Sequence, residues 1–249
     1  MSGMNLILVI IYVFCQSFAN LSKQLIFGKD YFHDRNMVKD IHTARQVATH
    51  LLEIEAVKLN TAQPFRWASG WRAPVYCDNR LTLSYPAIRK YISNGISTLI
   101  HSEFPKAEGI AGVATAGIPQ AALVADSLSL PLIYVRSKAK THGLANQIEG
   151  RMAPGSKMII LEDLVSTGGS SLGVVDVLRE AKLNVLGMVS IFTYGFRIAD
   201  AAFSEKKVPL YSLCDYATLI DVARDLKYIS NEQITELKSW WIDPTNWKT

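Results

Sequence analysis

The chain has 249 residues, enough for one substantial core or two modest ones. Hydrophobic residues make up 49% and charged residues 19%, a globular balance that excludes a disordered or fibrous chain. A net charge of +4 without a Lys/Arg-rich arm suits an anionic small molecule and does not call for nucleic acid. Cys15, Cys77 and Cys214 show no Cys-x-x-Cys pairing, which points to reduced thiols and a cytoplasmic address.

Residues 1–36 differ in character from the rest. Asn5 to Phe14 is an apolar run of ten residues, too short to cross a bilayer as a lone helix. Secretion is the alternative use of such a run, but no basic residue precedes it and no clear small-x-small cleavage site follows. The expectation is a dispensable extension, or a translation start set too far upstream, ahead of a single domain over 37–249. Met37 opens an amphipathic helical pattern running to Asn60, with Val38, Ile41, Ala44, Ala48, Leu51 and Leu52 on its stripe. From Ala62 to Asp78, Arg66 and Arg72 mix with aromatics, and two prolines with Gly70 exclude a helix. This segment, about 62–80, reads as two short strands around a turn. Ser84-Tyr-Pro86 starts the next helix, with Ile88, Tyr91, Ile92, Ile96 and Leu99 as its buried face.

Gly109 to Ala114 is a strand, and Thr115, Ala116 and Gly117 open its exit loop before a small-residue helix with Ala121, Ala122, Val124 and Ala125. Strand, glycine-containing loop and helix is an anion-site arrangement, though a plain βα turn has the same pattern. Leu130 to Val135 is the next strand. It runs into Arg136-Ser-Lys-Ala-Lys-Thr-His-Gly143 and a connection to Met158 of about twenty residues, far longer than the usual few. Met158-Ile-Ile-Leu161 reads as a buried parallel strand. Glu162 and Asp163 follow, then Leu164, Val165 and the turn Ser166-Thr167-Gly168-Gly169-Ser170. A helix with Leu172, Val175, Leu178 and Ala181 on one stripe comes next. Backbone N–H groups and the positive helix end would aim at a phosphate there. The loop lacks the Lys of a Walker A motif and the spacing of a dinucleotide fingerprint. Val185 to Phe192 and Leu210 to Cys214 are the last strands. Two helices finish the chain; the second opens on a capping box, Ser230 with Gln233, and continues with Ile234, Leu237 and Trp241. Trp240, Trp241 and Trp247 are assigned to packing. The alternation predicts an α/β fold: a doubly wound, mostly parallel sheet of about five strands flanked by helices. All three polar constellations leave the carboxyl ends of predicted strands and therefore converge.

Three of these stretches carry a resemblance. Met158 to Ser170 resembles the phosphoribosyl-diphosphate (PRPP) signature of the type I phosphoribosyltransferases. Phe65, Ser69, Gly70, Ala73, Pro74 and Tyr76 are similar to the hood segment of the orotate phosphoribosyltransferases. Arg136, Lys140, His142 and Gly143 are similar to that family's long catalytic loop. The resemblance covers roughly 37–230. It departs at Ala68 and Ala116, where some members carry Lys, at Ser137, where some carry Lys after the Arg, and at Thr193-Tyr-Gly-Phe196, where an Arg-containing exit is common.

The resemblance implies the type I phosphoribosyltransferase fold with a small N-terminal hood, and ribose 5-phosphate transfer from PRPP to orotate. On that footing Arg136, Lys140 and His142 would neutralise the leaving pyrophosphate, and Thr115, Ala116 and Gly117 would hold it. Glu162 and Asp163 would orient the ribose. Leu164, Val165, Ser166, Thr167, Gly168, Gly169 and Ser170 would complete the PRPP site. Ser166, Val75, Tyr76 and Arg197 are the candidates for contact with orotate. A Mg2+ ion would be held through substrate and water, without direct side-chain ligands. The implied assembly is a homodimer whose loop 136–155 covers the other subunit's site, with no nucleic-acid or membrane partner. A purine or uracil phosphoribosyltransferase and a non-catalytic PRPP-sensing regulator are the alternatives; the hood favours orotate, and Lys140 with His142 favours catalysis.

Overall fold

A computed structural model describes residues 37–67, 69–136 and 147–248. The chain opens with α1 (Ile41–Glu53), then β1 (Val57–Leu59), β2 (Phe65–Arg66), β3 (Arg72–Ala73) and β4 (Val75–Cys77). A 3-10 turn (Asn79–Ser84) leads to α2 (Pro86–Glu103). Next come β5 (Gly109–Val113), α3 (Gly117–Leu128), β6 (Leu132–Val135), β7 (Ile148–Glu149), β8 (Lys157–Val165) and α4 (Gly169–Glu180). The last elements are β9 (Asn184–Thr193), α5 (Arg197–Glu205), β10 (Leu210–Asp215), α6 (Tyr216–Asp225) and α7 (Asn231–Ile242).

Six strands form the main sheet in the order β10-β9-β8-β5-β6-β7. All neighbours are parallel except β7, which runs antiparallel to β6. The expectation of about five strands missed β7, a two-residue edge strand inside the stretch read as a loop. Helices cover both faces. One face presents Val113, Val135, Ile160 and Met188 to Leu172, Val175 and Leu178 of α4 and to Phe203 of α5. On the other face a Cβ at Gly95 of α2 would meet Leu213 of β10 at 3.3 Å, and one at Gly112 of β5 would meet Ala121 of α3 at 2.9 Å. No helix among the described residues is long and apolar enough to cross a membrane.

Some boundaries differ from the periodicity. Asp40 accepts from the His42 N–H at 2.9 Å and so starts α1 later than Met37, leaving Ile41 53% exposed instead of buried. The helix ends at Glu53, because residues 57–59 pair with β4 as a strand. Ala181 lies beyond the end of α4 and is exposed. In α7 the fully buried indole belongs to Trp240, not Trp241. The capping box at Ser230 and Gln233 forms as the spacing predicts. A further helix, α5, stands where the sequence reading assigned none.

Candidate active site

From β5 the chain steps to β6 on one side, then crosses to β8 on the other, so the topological switch point lies between β5 and β8. Two helices begin there, α3 after β5 and α4 after β8, and neither has a side-chain cap. The Ile118 N–H donates to the Thr115 carbonyl at 3.3 Å; no cap side chain takes up the other first-turn N–H groups, which suits an anion. The approach is close: a Cβ at Gly117 would lie 2.6 Å from the Leu161 carbonyl oxygen, so only glycine fits at the head of α3. After β5, Thr115 is exposed and Ala116 is half-buried at the head of α3. Gly168 takes φ +84° to turn the loop after β8 into α4, and a side chain there would press on the Phe203 ring at 3.0 Å.

The acids belong to the strand itself. β8 continues past its apolar run through Glu162, Asp163 and Leu164 to Val165, in parallel register with β9 up to the Val165–Thr193 pair. Glu162 is 6% exposed; its carboxylate accepts the Asp163 N–H and the Ser171 hydroxyl, each at 3.0 Å. Burial pushes the Glu162 carboxyl well above the usual carboxylate range, and hydrogen bonding and charge from Asp163 push the same way. Glu162 therefore holds its proton more tightly than a free carboxyl does. Such a carboxyl keeps a proton in the folded chain that the unfolded chain gives up. Its contribution to stability is present at low pH and is lost as pH rises past the ordinary range. Glu162→Gln retains an oxygen for the Asp163 N–H and an amide for Ser171. It is expected to melt no lower than the parent near pH ~8, with any advantage shrinking toward pH ~5. A variant that melts well below the parent at the higher pH would show that Glu162 is needed as an anion.

Asn79 ties this pair to the hood. It is 2% exposed, donates to the Asp163 carbonyl at 2.7 Å and accepts from the Cys77 thiol at 3.3 Å. Burial, then the charge of Asp163, pushes that thiol far above its ordinary value, so it remains protonated and acts as a donor. The hood is two ribbons, β2 with β3 and β1 with β4. Val75 is fully buried, and its carbonyl accepts the Trp67 indole N–H at 3.0 Å. Trp67 packs on Tyr194 at 4.8 Å between ring centroids and on Trp240 at 5.5 Å. Trp240 in turn donates to the Arg72 carbonyl at 3.2 Å. The terminal helix thus braces the hood.

Hood and phosphate-type loop border one open cavity of about 640 Å³. Leu164, Ser166, Thr167 and Ser170 line one side; Arg66, Trp67, Ser69, Trp71, Tyr76, Cys77 and Tyr194 line the other. Of the expected contacts to a base, Ser166 and Tyr76 reach this space. Arg197 is the exposed first residue of α5 and is not among the lining residues, because Gly195 and Phe196 turn the chain into that helix first. Arg136 stands at the foot of the long loop. Its N–H donates to the Gln147 carbonyl at 2.9 Å, and its guanidinium lies 3.6 Å from Glu149. Lys140 and His142, and Ala68 of the hood, lie outside the described residues. Trp67, Asn79 and Tyr194 were not singled out as site residues. Asn79 and Tyr194 join the site only through contacts distant in sequence, and Trp67 gave no sign of direction before folding.

A parallel sheet that brings two uncapped helix heads and an acid pair to its switch point is the architecture of the phosphoribosyltransferases. The model of the phosphoribosyl transferase domain matches residues 81–209. An orotate phosphoribosyltransferase of Bacteroides fragilis is 51% identical over 205 residues, 82% of this chain and 97% of that protein. One from Bacillus pumilus is 55% identical over 201 residues, 81% of this chain and 95% of the relative. Among solved structures, the orotate phosphoribosyltransferase of Aeropyrum pernix matches with a TM-score of 0.65 at 28% identity, over 74% of this chain and 99% of its own. The chain belongs to the orotate phosphoribosyltransferases.

Proposed function

We propose that this chain transfers the ribose 5-phosphate of PRPP to orotate, releasing pyrophosphate and giving orotidine 5′-phosphate in the synthesis of UMP. The observation that carries the reading is the shared cavity: one space borders both the Ser166–Ser170 loop and the aromatic hood, room for a sugar phosphate and a base together. The ring nitrogen of orotate forms a bond to the anomeric carbon as the bond from that carbon to the pyrophosphate oxygen breaks, with oxocarbenium character in between, and the proton of that nitrogen passes to the departing pyrophosphate. Loop 166–170 and the head of α4 hold the 5′-phosphate. Asp163, with Glu162 behind it, accepts ribose hydroxyls. Thr115, Ala116 and Gly117 at the head of α3 take the pyrophosphate, with Ala116 offering only its backbone. Arg136, Lys140 and His142 neutralise the charge that grows on the leaving group, and closure of their loop keeps water from hydrolysing PRPP.

Among the described residues no group of three or more His, Cys, Asp or Glu could hold a metal. A Mg2+ ion would be held beside the acid pair through substrate and water rather than by direct side-chain ligands. Bound there, it would neutralise charge on the departing pyrophosphate. The working enzyme is proposed to be a cytoplasmic homodimer. Residues 1–36 are proposed to be dispensable: a chain starting at Met37 is expected to keep its activity and its melting temperature. An insoluble or much less stable truncation would place the extension in the core.

The test of the reaction is a base panel. PRPP is mixed with orotate, uracil, adenine or hypoxanthine, and pyrophosphate release is followed. Release with orotate alone is expected. Release with another base only would assign a different phosphoribosyltransferase, and PRPP binding without release would assign a regulator.

A further inference from the structure

We infer that Arg66 pairs with the carboxylate of the pyrimidine substrate and sets the preference for a carboxylated base. The inference rests on the transfer reaction proposed above. Orotate carries a full negative charge into the cavity, and a site that takes in a charge without a partner loses its hydration uncompensated. Among the described residues that line the cavity, Arg66 is the only cation; its companions are aromatic, hydroxyl, thiol or aliphatic.

Its surroundings leave the guanidinium available. Arg66 is exposed and makes no ion pair with any described residue. The antiparallel register of β2 and β3 sets it directly opposite Arg72, a second exposed cation. Like charges in directly opposed positions repel. An anion seated against Arg66 relieves that repulsion, so the ribbon is charged for an anion before one arrives. Trp67, the next residue, is locked by its bond to the Val75 carbonyl, which fixes the ribbon against the aromatic cluster. The planar fork of a guanidinium matches a carboxylate with two parallel hydrogen bonds, a geometry that lysine cannot reproduce.

The test uses the full chain with Arg66→Gln, Arg66→Lys and Arg72→Gln, with orotate and PRPP varied separately. Competitive inhibition by orotate methyl ester, the same ring without the charge, is measured alongside, and melting curves check the fold. Arg66→Gln is expected to raise the KM for orotate about tenfold to a hundredfold and to leave the KM for PRPP within about twofold. Arg66→Lys should recover part of the loss, Arg72→Gln should resemble the parent, and the ester should inhibit parent and Arg66→Gln alike. A parental orotate KM in Arg66→Gln overturns the inference. So does an equal loss for the ester, which would make Arg66 a packing residue of the hood, or an effect that resides at Arg72. A parent chain that releases pyrophosphate with another base but not with orotate overturns the underlying reaction, and this assignment with it.

Discussion

Asp163→Asn is expected to fold like the parent and to lose on the order of 10²-fold or more in kcat/KM, about 3 kcal/mol of transition-state stabilisation. The fold should survive because, beside its side-chain contact with Glu162, Asp163 holds the structure through its backbone, and an amide can keep that side-chain contact. The carbonyl accepts from Asn79, and the N–H donates to Glu162. The side chain is half-buried at the end of β8, where it is proposed to accept two ribose hydroxyls. An amide keeps one acceptor and turns the other into a donor, so part of that grip is lost. Steady-state kinetics beside a melting curve make the check. Near-parental turnover would mean that the acid pair serves the fold alone.

The second large effect belongs to the loop. Lys140→Ala is expected to fold normally, to bind PRPP only modestly worse and to lose turnover heavily, because its ammonium acts on charge that develops as pyrophosphate departs. If the loop of one subunit serves the other's site, two inactive variants should rescue each other. Mixing Lys140→Ala with Asp163→Asn subunits gives heterodimers with one doubly damaged site and one intact site. Random mixing would then restore about a quarter of parental activity per subunit. Activity no higher than the sum of the parents, with heterodimers confirmed by mass, would show that each loop serves its own subunit.

What could be read before folding was local. Met158 to Ser170 announces itself because strand, acids, loop and helix follow one another without a gap, and the structure keeps that order. The extent of β8 was not readable: two acids after four apolar residues look like a strand end. Pairing with β9 and the amide of Asn79 carry the strand on through both of them. The hairpin at 65–73 could be read from its prolines and Gly70, but not its neighbours, since Trp67 meets Tyr194 and Trp240 from far along the chain. Arg197 was a fair candidate by charge and by its place after a strand. It begins α5, a helix with only Ala199 and Phe203 buried, too thin a stripe to register in a sequence. β7 left no trace for a similar reason, being two residues long.

The bracing of the hood by the C-terminal helix has a consequence for how the protein comes into being. Besides the Trp240 bond to Arg72, Trp241 donates to the Tyr194 carbonyl at 2.6 Å, and Lys248 donates to the Thr61 carbonyl at 2.8 Å. The hood is synthesised early, yet Trp240, which supports it, comes 168 residues after Arg72. A nascent chain therefore has its phosphate loop in hand well before it has a finished wall for the base. Completion of that wall waits until α7 and Lys248 have been made and have folded back onto it.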